Sequence, residues 1–223
     1  MSKLRQDLSN EASAAATGSK PAPRAKLALL AGALIGSAML CVQGLYLESR
    51  AESLSTSRLS IADGQKLLSS GASPKVLLAG AEALDLDEPG AAALAVSLTR
   101  ASLTQQPKQP FAWAELAYFQ TRLKGGVDET ALYAFQRSIA QCGYCDRDLL
   151  RWRLLFTIDN WNALPERERL DAFRGAEFLR WWHIDGAFLA EARERATARG
   201  IDFRDYQRRV VSDVRSHEVT GRR

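Results

Sequence analysis

The chain has 223 residues, enough for one globular domain plus extra segments. Thirty Lys and Arg stand against 26 Asp and Glu, for a net charge of +4, and the signs alternate through ERERLDAFR, EARERATAR and DFRDYQRR as on solvated helix faces. A nucleic-acid binder would show a one-signed basic stripe, so no nucleic-acid partner is expected. The only histidines, His183 and His217, lie far apart in sequence, and there is no phosphate-binding glycine loop. No Ser-His-Asp or metal constellation can be assembled from these residues, so no catalytic site, metal or cofactor is expected.

Residues 1–26 are rich in Ala, Ser, Pro and charge, with Leu4 and Leu8 as their only large aliphatic side chains. They cannot bury enough apolar surface to offset the entropy of ordering, which predicts a flexible tail. Residues 27–47, LALLAGALIGSAMLCVQGLYL, carry no charge. A helix of about 20 such residues spans the roughly 30 Å hydrocarbon core of a bilayer. The run is longer than a signal-peptide core and lacks a small-residue cleavage site. In Ala38-Met39-Leu40-Cys41 a leucine precedes the cysteine, where a lipobox would have a small residue. An uncleaved anchor is therefore expected.

Lys20, Arg24 and Lys26 precede this segment, whereas Arg50 and Arg58 after it are diluted by Glu48 and Glu52. The positive-inside rule then places the N-terminus in the cytoplasm and everything after residue 47 outside it. In a bacterium that means a single-pass inner-membrane protein with a periplasmic domain. Ala28, Gly32 and Gly36 share one helix face, where small residues would let two such helices approach and form a homo-oligomer.

Residues 48–72 read as a helical or flexible linker, followed by an all-α domain over 73–215 and a frayed end over 216–223. Ser73 and Pro74 open the first helix of that domain. A second helix runs through AAALAVSLTRASLTQ and stops before Pro107. The third, PFAWAELAYFQTRLK, is stopped by Gly125-Gly126. Asp128 caps the fourth, which carries Leu132, Phe135 and Ile139 on its apolar stripe. The apolar run DLLRWRLLFTIDNWNAL follows, then a helix opened by Pro165 with acids in its first turn. Asp185 is expected to cap GAFLAEARERATAR, with Glu191 and Arg195 as an i,i+4 pair. Asp202 or Asp205 caps the last helix.

Helix pairs joined by short turns indicate a solenoid. Trp113, Leu116 and Ala117, followed by Ala131, Phe135 and Ser138, resemble the tetratricopeptide (TPR) signature, a W-x2-L pair with a small residue and then A-x3-F. The A-x3-F part arrives two positions late, Gln120 fills the tyrosine slot, and the closing proline is missing. In the preceding unit Ala95 and Ser102 fill small-residue slots and Pro107 the proline slot, so the resemblance covers residues 74 to 145. It implies a helical-hairpin fold that binds proteins in a groove.

Cys142 and Cys145 fall at C-x-x-C spacing where one helix ends and the next begins. A thioredoxin-type site would need a preceding strand, and zinc would need further ligands. In an oxidising compartment the pair is expected to form a small structural disulfide. Trp181 and Trp182 are adjacent in a helix, so at least one must leave the buried stripe and stand exposed or at an interface.

Together these features suggest a non-enzymatic, membrane-anchored periplasmic scaffold that binds protein partners. It is similar to small anchored TPR proteins that act as accessories of exopolysaccharide or envelope assembly. A redox or maturation factor using the C-x-x-C pair, or an oligomeric anchor, are the alternatives.

Overall fold

The computed structural model describes residues 58–220 continuously, with side chains to residue 212, and a few isolated positions between 33 and 53. Residues 1–46 and 47–223 form two separate units. In the first, Ala33, Leu34, Ser37, Met39 and Cys41 are described; all are helical and exposed. Ala28, Gly32, Gly36 and most of the expected span lie outside the described residues. Among the described residues no helix is long and apolar enough to cross a membrane.

The second unit is all-α. Nine helices are described: α1 (Ile61–Ser69), α2 (Pro74–Glu82), α3 (Ala91–Gln105), α4 (Pro110–Lys124), α5 (Glu129–Gln141), α6 (Arg147–Asp159), α7 (Glu166–Trp182), α8 (Gly186–Thr197) and α9 (Phe203–Thr220). They pack as sequential antiparallel pairs, α2 with α3, α4 with α5 and α6 with α7. Helix α3 also packs on α4, α8 rests on α6, and α9 returns to lie against α7.

Local chemistry sets the boundaries. Pro74 and Pro110 occupy first-turn positions, where a missing N–H costs nothing. Gly125 ends α4 at φ 71°, a left-handed conformation that a Cβ would disfavour. Asp128 caps α5 by accepting from the Ala131 N–H at 2.8 Å, and Asp202 caps α9 by accepting from the Asp205 N–H at 2.9 Å.

Several expectations differ from the structure. Part of the stretch read as a linker is folded: α1 is capped by Ser60 and buries Leu67, and Leu59 donates its N–H to the Ala83 carbonyl at 2.9 Å. Arg195 does not pair with Glu191; it reaches Asp159 on α6, 2.8 Å away, and so ties α8 to α6 instead of bracing its own helix. At the other end, helical backbone continues to Thr220, across most of the stretch expected to fray.

Two apolar cores result. One gathers Leu77, Leu98, Leu116 and Phe135 from α2 to α5; the other gathers Leu154, Phe173, Leu179 and Phe203 from α6 to α9. Helix α6 is their common wall. Leu150, Leu154 and Ile158, four residues apart, face the second core, while Trp152 and Phe156 face the first.

Candidate functional site

A helix buried on two sides has little room for charge, yet α6 carries Arg153 with only 3 % of its surface exposed. Its guanidinium is spent on the end of α5. Nε and Nη2 donate to Ser138 Oγ at 3.2 and 2.9 Å, and Nη1 donates to the carbonyls of Cys142 and Gly143 at 2.8 and 3.1 Å. The last carbonyls of a helix lack partners within it and carry partial negative charge, so a forked cation is a fitting cap. Burial pulls the Arg153 pKa down to about 10.

That cap pins the start of the Cys142–Cys145 loop, and the two cysteines form a disulfide with Cα atoms 5.6 Å apart. Asp146 closes the loop by accepting from the N–H groups of Asp148 and Leu149 at 2.8 and 2.9 Å, which starts α6. Tyr144, between the cysteines, stacks on Phe178 of α7, and Phe178 stacks on Trp182, with centroids 5.2 and 5.7 Å apart.

The turn after α7 is anchored from beneath. Buried Asp185 accepts bidentate bonds from Arg151, at 2.6 and 2.8 Å, and from Arg147, at 3.2 and 3.0 Å. These bonds, with Arg151 foremost, hold its carboxyl well below the usual range. The residue precedes α8 as expected, but its side chain makes no cap bond there, because both oxygens are committed to α6. Above this anchor Ile184 adopts φ 50°, the single non-glycine residue at positive φ among the described residues. Trp181, Trp182 and Ile184 are 69 %, 74 % and 85 % exposed, so both tryptophans leave the core.

A groove opens between α5 and α7, lined by Tyr133, Gln136, Arg137, Arg167, Glu168 and Asp171. Glu168 at its base is 4 % exposed. Its Oε1 accepts from Gln136 at 2.6 Å, while its Oε2 and the Nε of Arg137 have no hydrogen-bond partner among the described residues. Arg137 also stacks over Trp113 at 5.5 Å.

The residues of the repeat signature take other positions. Leu116, Ala117, Ala131 and Phe135 are buried where α4 meets α5, so they build the hairpin and offer no surface to a partner. Trp113 is half-buried, its Nε1 donating to the Pro107 carbonyl at 2.8 Å. Gln120 in the tyrosine slot is buried and donates to Asp128 at 2.7 Å, locking the α4–α5 turn.

Two contributors went unrecognised in the sequence, Arg153 and Glu168, and a third, Asp185, was read as a helix cap and instead clamps Arg147 and Arg151. Arg153 carried a signal, a cation four residues from Leu149 on an apolar stripe. Among the described residues no His, Cys, Asp and Glu group could hold a metal ion. Compared with protein-family models, curated proteins and solved structures, the chain matches none.

Proposed function

We propose that the protein is a single-pass, inner-membrane scaffold whose periplasmic domain, a set of TPR-like hairpins, captures a protein partner in the α5–α7 groove. The anchor reading is supported by the uncharged segment 27–47 and the basic residues before it. The placement in exopolysaccharide or envelope assembly rests on the TPR resemblance alone.

The repeat reading is supported by regularity. The hairpins begin at Pro74, Pro110 and Arg147, and their second helices at Ala91, Glu129 and Glu166, a spacing of about 37 residues typical of helical repeats. Buried small residues recur at that spacing, with Ser102, Ser138 and Gly175 in equivalent places. Ala95 and Ala131 are likewise equivalent and fully buried, and their counterpart in the third hairpin is Glu168.

This replacement is the observation that carries the proposal. A repeat that needs only a small buried side chain has there a carboxyl group beneath a groove, with one oxygen sealed from solvent and without a partner among the described residues. A buried acceptor left unpaired costs about 1–3 kcal/mol, which a bound donor would recover. Glu168 Oε2 as acceptor and Arg137 Nε as donor suit a basic side chain or free backbone groups of a peptide once the outer side chains Tyr133 and Gln136 move aside to uncover them.

A photo-crosslinking residue at position 133 of the full chain in native membranes should yield one discrete adduct. Glu168→Gln, which can still accept from Gln136, should abolish it. An adduct unaffected by Glu168→Gln, or no adduct, would reject the groove as the capture site.

A further inference from the structure

Beside the α7 terminus lies a second feature that the scaffold reading leaves unused. A cleft between α7, α8 and α9 is lined by Arg180, Arg193, Arg204, Gln207 and Arg208. Among the described residues two carboxylates serve these four arginines: Glu177, 3.7 Å from Arg180, and Asp205, 3.2 Å from Arg208. Arg193 lies over the Phe203 ring, 5.8 Å from its centroid, with no hydrogen-bond partner for its Nε among the described residues, and Arg204 is exposed. The cleft therefore carries an excess of positive charge suited to anionic groups.

It is continuous with the aromatic tip. Arg180 lines the cleft and also lies over the ring of Trp181, 5.2 Å from its centroid. Trp181 adjoins Trp182, and the turn carries Ile184 beyond them. All three apolar side chains are largely exposed, and Trp182 is held by stacking on Phe178, so the end of α7 carries an apolar surface outside the core. An exposed Trp-Trp-Ile surface beside arginines has the two properties of a bilayer-interface contact. Tryptophan favours the headgroup level, and arginine favours lipid phosphate.

We propose that this end of the domain docks on an anionic phospholipid bilayer, with Trp181, Trp182 and Ile184 entering the interface and the arginine cleft taking headgroup phosphates. The proposal rests on the anchored reading in one respect: the 11 residues from 48 to 58 can span at most about 40 Å, which keeps the domain within reach of its own membrane. Docking there would leave the α5–α7 groove free for a protein partner.

The test uses the full chain with Cys41→Ser and the Cys142–Cys145 disulfide kept oxidised. Ile184→Cys carries an environment-sensitive fluorophore, and a second chain carries it at Lys108→Cys, on the α3–α4 turn. Both are reconstituted into phosphatidylcholine vesicles with or without phosphatidylglycerol. The label at 184 should shift to the blue and be quenched by spin-labelled lipid when phosphatidylglycerol is present, while the label at 108 should stay in water. Arg204→Gln and Arg208→Gln should each weaken the dependence on anionic lipid about fivefold.

If washing the vesicles with alkaline carbonate, which strips peripheral proteins, leaves the chain embedded but the label at 184 stays in water at every lipid composition, docking is overturned and the anchor stands. If carbonate releases the chain, the anchor reading fails and the released chain decides docking alone. Lipid quenching at 184 on anionic vesicles then upholds docking, and its absence overturns it. Shielding at 184 by a cross-linkable polypeptide without lipid quenching also overturns it.

Discussion

Arg153 and Ser138, fifteen residues apart and both buried, are joined through side chain and backbone, the guanidinium donating to both the hydroxyl and the carbonyl of the serine. This contact carries α6 across the end of α5 and binds the two cores together. Arg153→Met removes the fork and leaves the carbonyls of Ser138, Cys142 and Gly143 without it. A loss of about 3–5 kcal/mol is expected, as for breaking a buried charged network. Arg153→Lys should recover little, because an ammonium cannot span the same acceptors. Chemical denaturation of the three chains measures both effects.

Asp185 gives the fold a defined pH dependence. Its folded-state pKa is depressed, so it stabilises the fold fully above the ordinary carboxylate value of about 4, and the contribution is lost as pH falls through the lower folded value. Asp185→Asn should cost about 2–3 kcal/mol at neutral pH, given two arginines that are themselves partly exposed. The gap between wild type and variant should narrow progressively on acidification below about pH 4, and denaturation curves at several pH values would show it.

The Cys142–Cys145 disulfide closes a very short loop, so chain entropy limits its contribution to about 2 kcal/mol. Arg153 and Asp146 hold the same loop by other means. Replacing both cysteines by alanine should therefore lower stability by about 1–2 kcal/mol and leave the helical circular dichroism unchanged. For the redox-factor alternative the relevant readout differs: the Cys145 N–H donates to Cys142 Sγ at 2.9 Å and would favour a Cys142 thiolate, so Cys145→Ser should trap mixed disulfides through Cys142. If no such species form, the pair is structural.

Much of the architecture was legible because it depends on local signals. Pro74, Pro110, Gly125 and Asp128 mark helix ends through φ, a missing donor or a side-chain acceptor, and each can be read from a few neighbouring residues. The i,i+4 apolar spacing likewise revealed the helices. What the sequence did not reveal depends on contacts across more than ten residues. Asp185 looked like a cap because it precedes a helix, but Arg147 and Arg151, on another helix, claim it. Arg195 had a favourable neighbour in Glu191 and instead uses Asp159. Glu168 sits in a first turn rich in acids, and only its equivalence to Ala95 and Ala131 marks it as unusual.

Phe135 tests the shared wall. It is fully buried and stacks on Phe156 of α6 with centroids 5.1 Å apart. Phe135→Ala should cost about 3–5 kcal/mol through lost transfer energy and the cavity left behind. Trp113, in the same signature but half-buried, should cost less when changed to alanine. Thermal or urea unfolding of the two variants would order them, and the reverse order would mean that the α5–α6 contact at Phe135 is not what the first core depends on.

Ile184 has a conformation its side chain disfavours. A β-branched residue at φ 50° is strained by about 1–2 kcal/mol, and nothing in the core offsets this, since the side chain is 85 % exposed. What fixes the backbone is its neighbour Asp185, clamped by two arginines. Asparagine tolerates the left-handed region, so Ile184→Asn should stabilise the domain by about 1 kcal/mol in denaturant. In Asp185→Asn, where the clamp is loosened, the turn can relax and the same change should gain markedly less. Equal gains in the two backgrounds would show that the clamp is not what holds the strained turn.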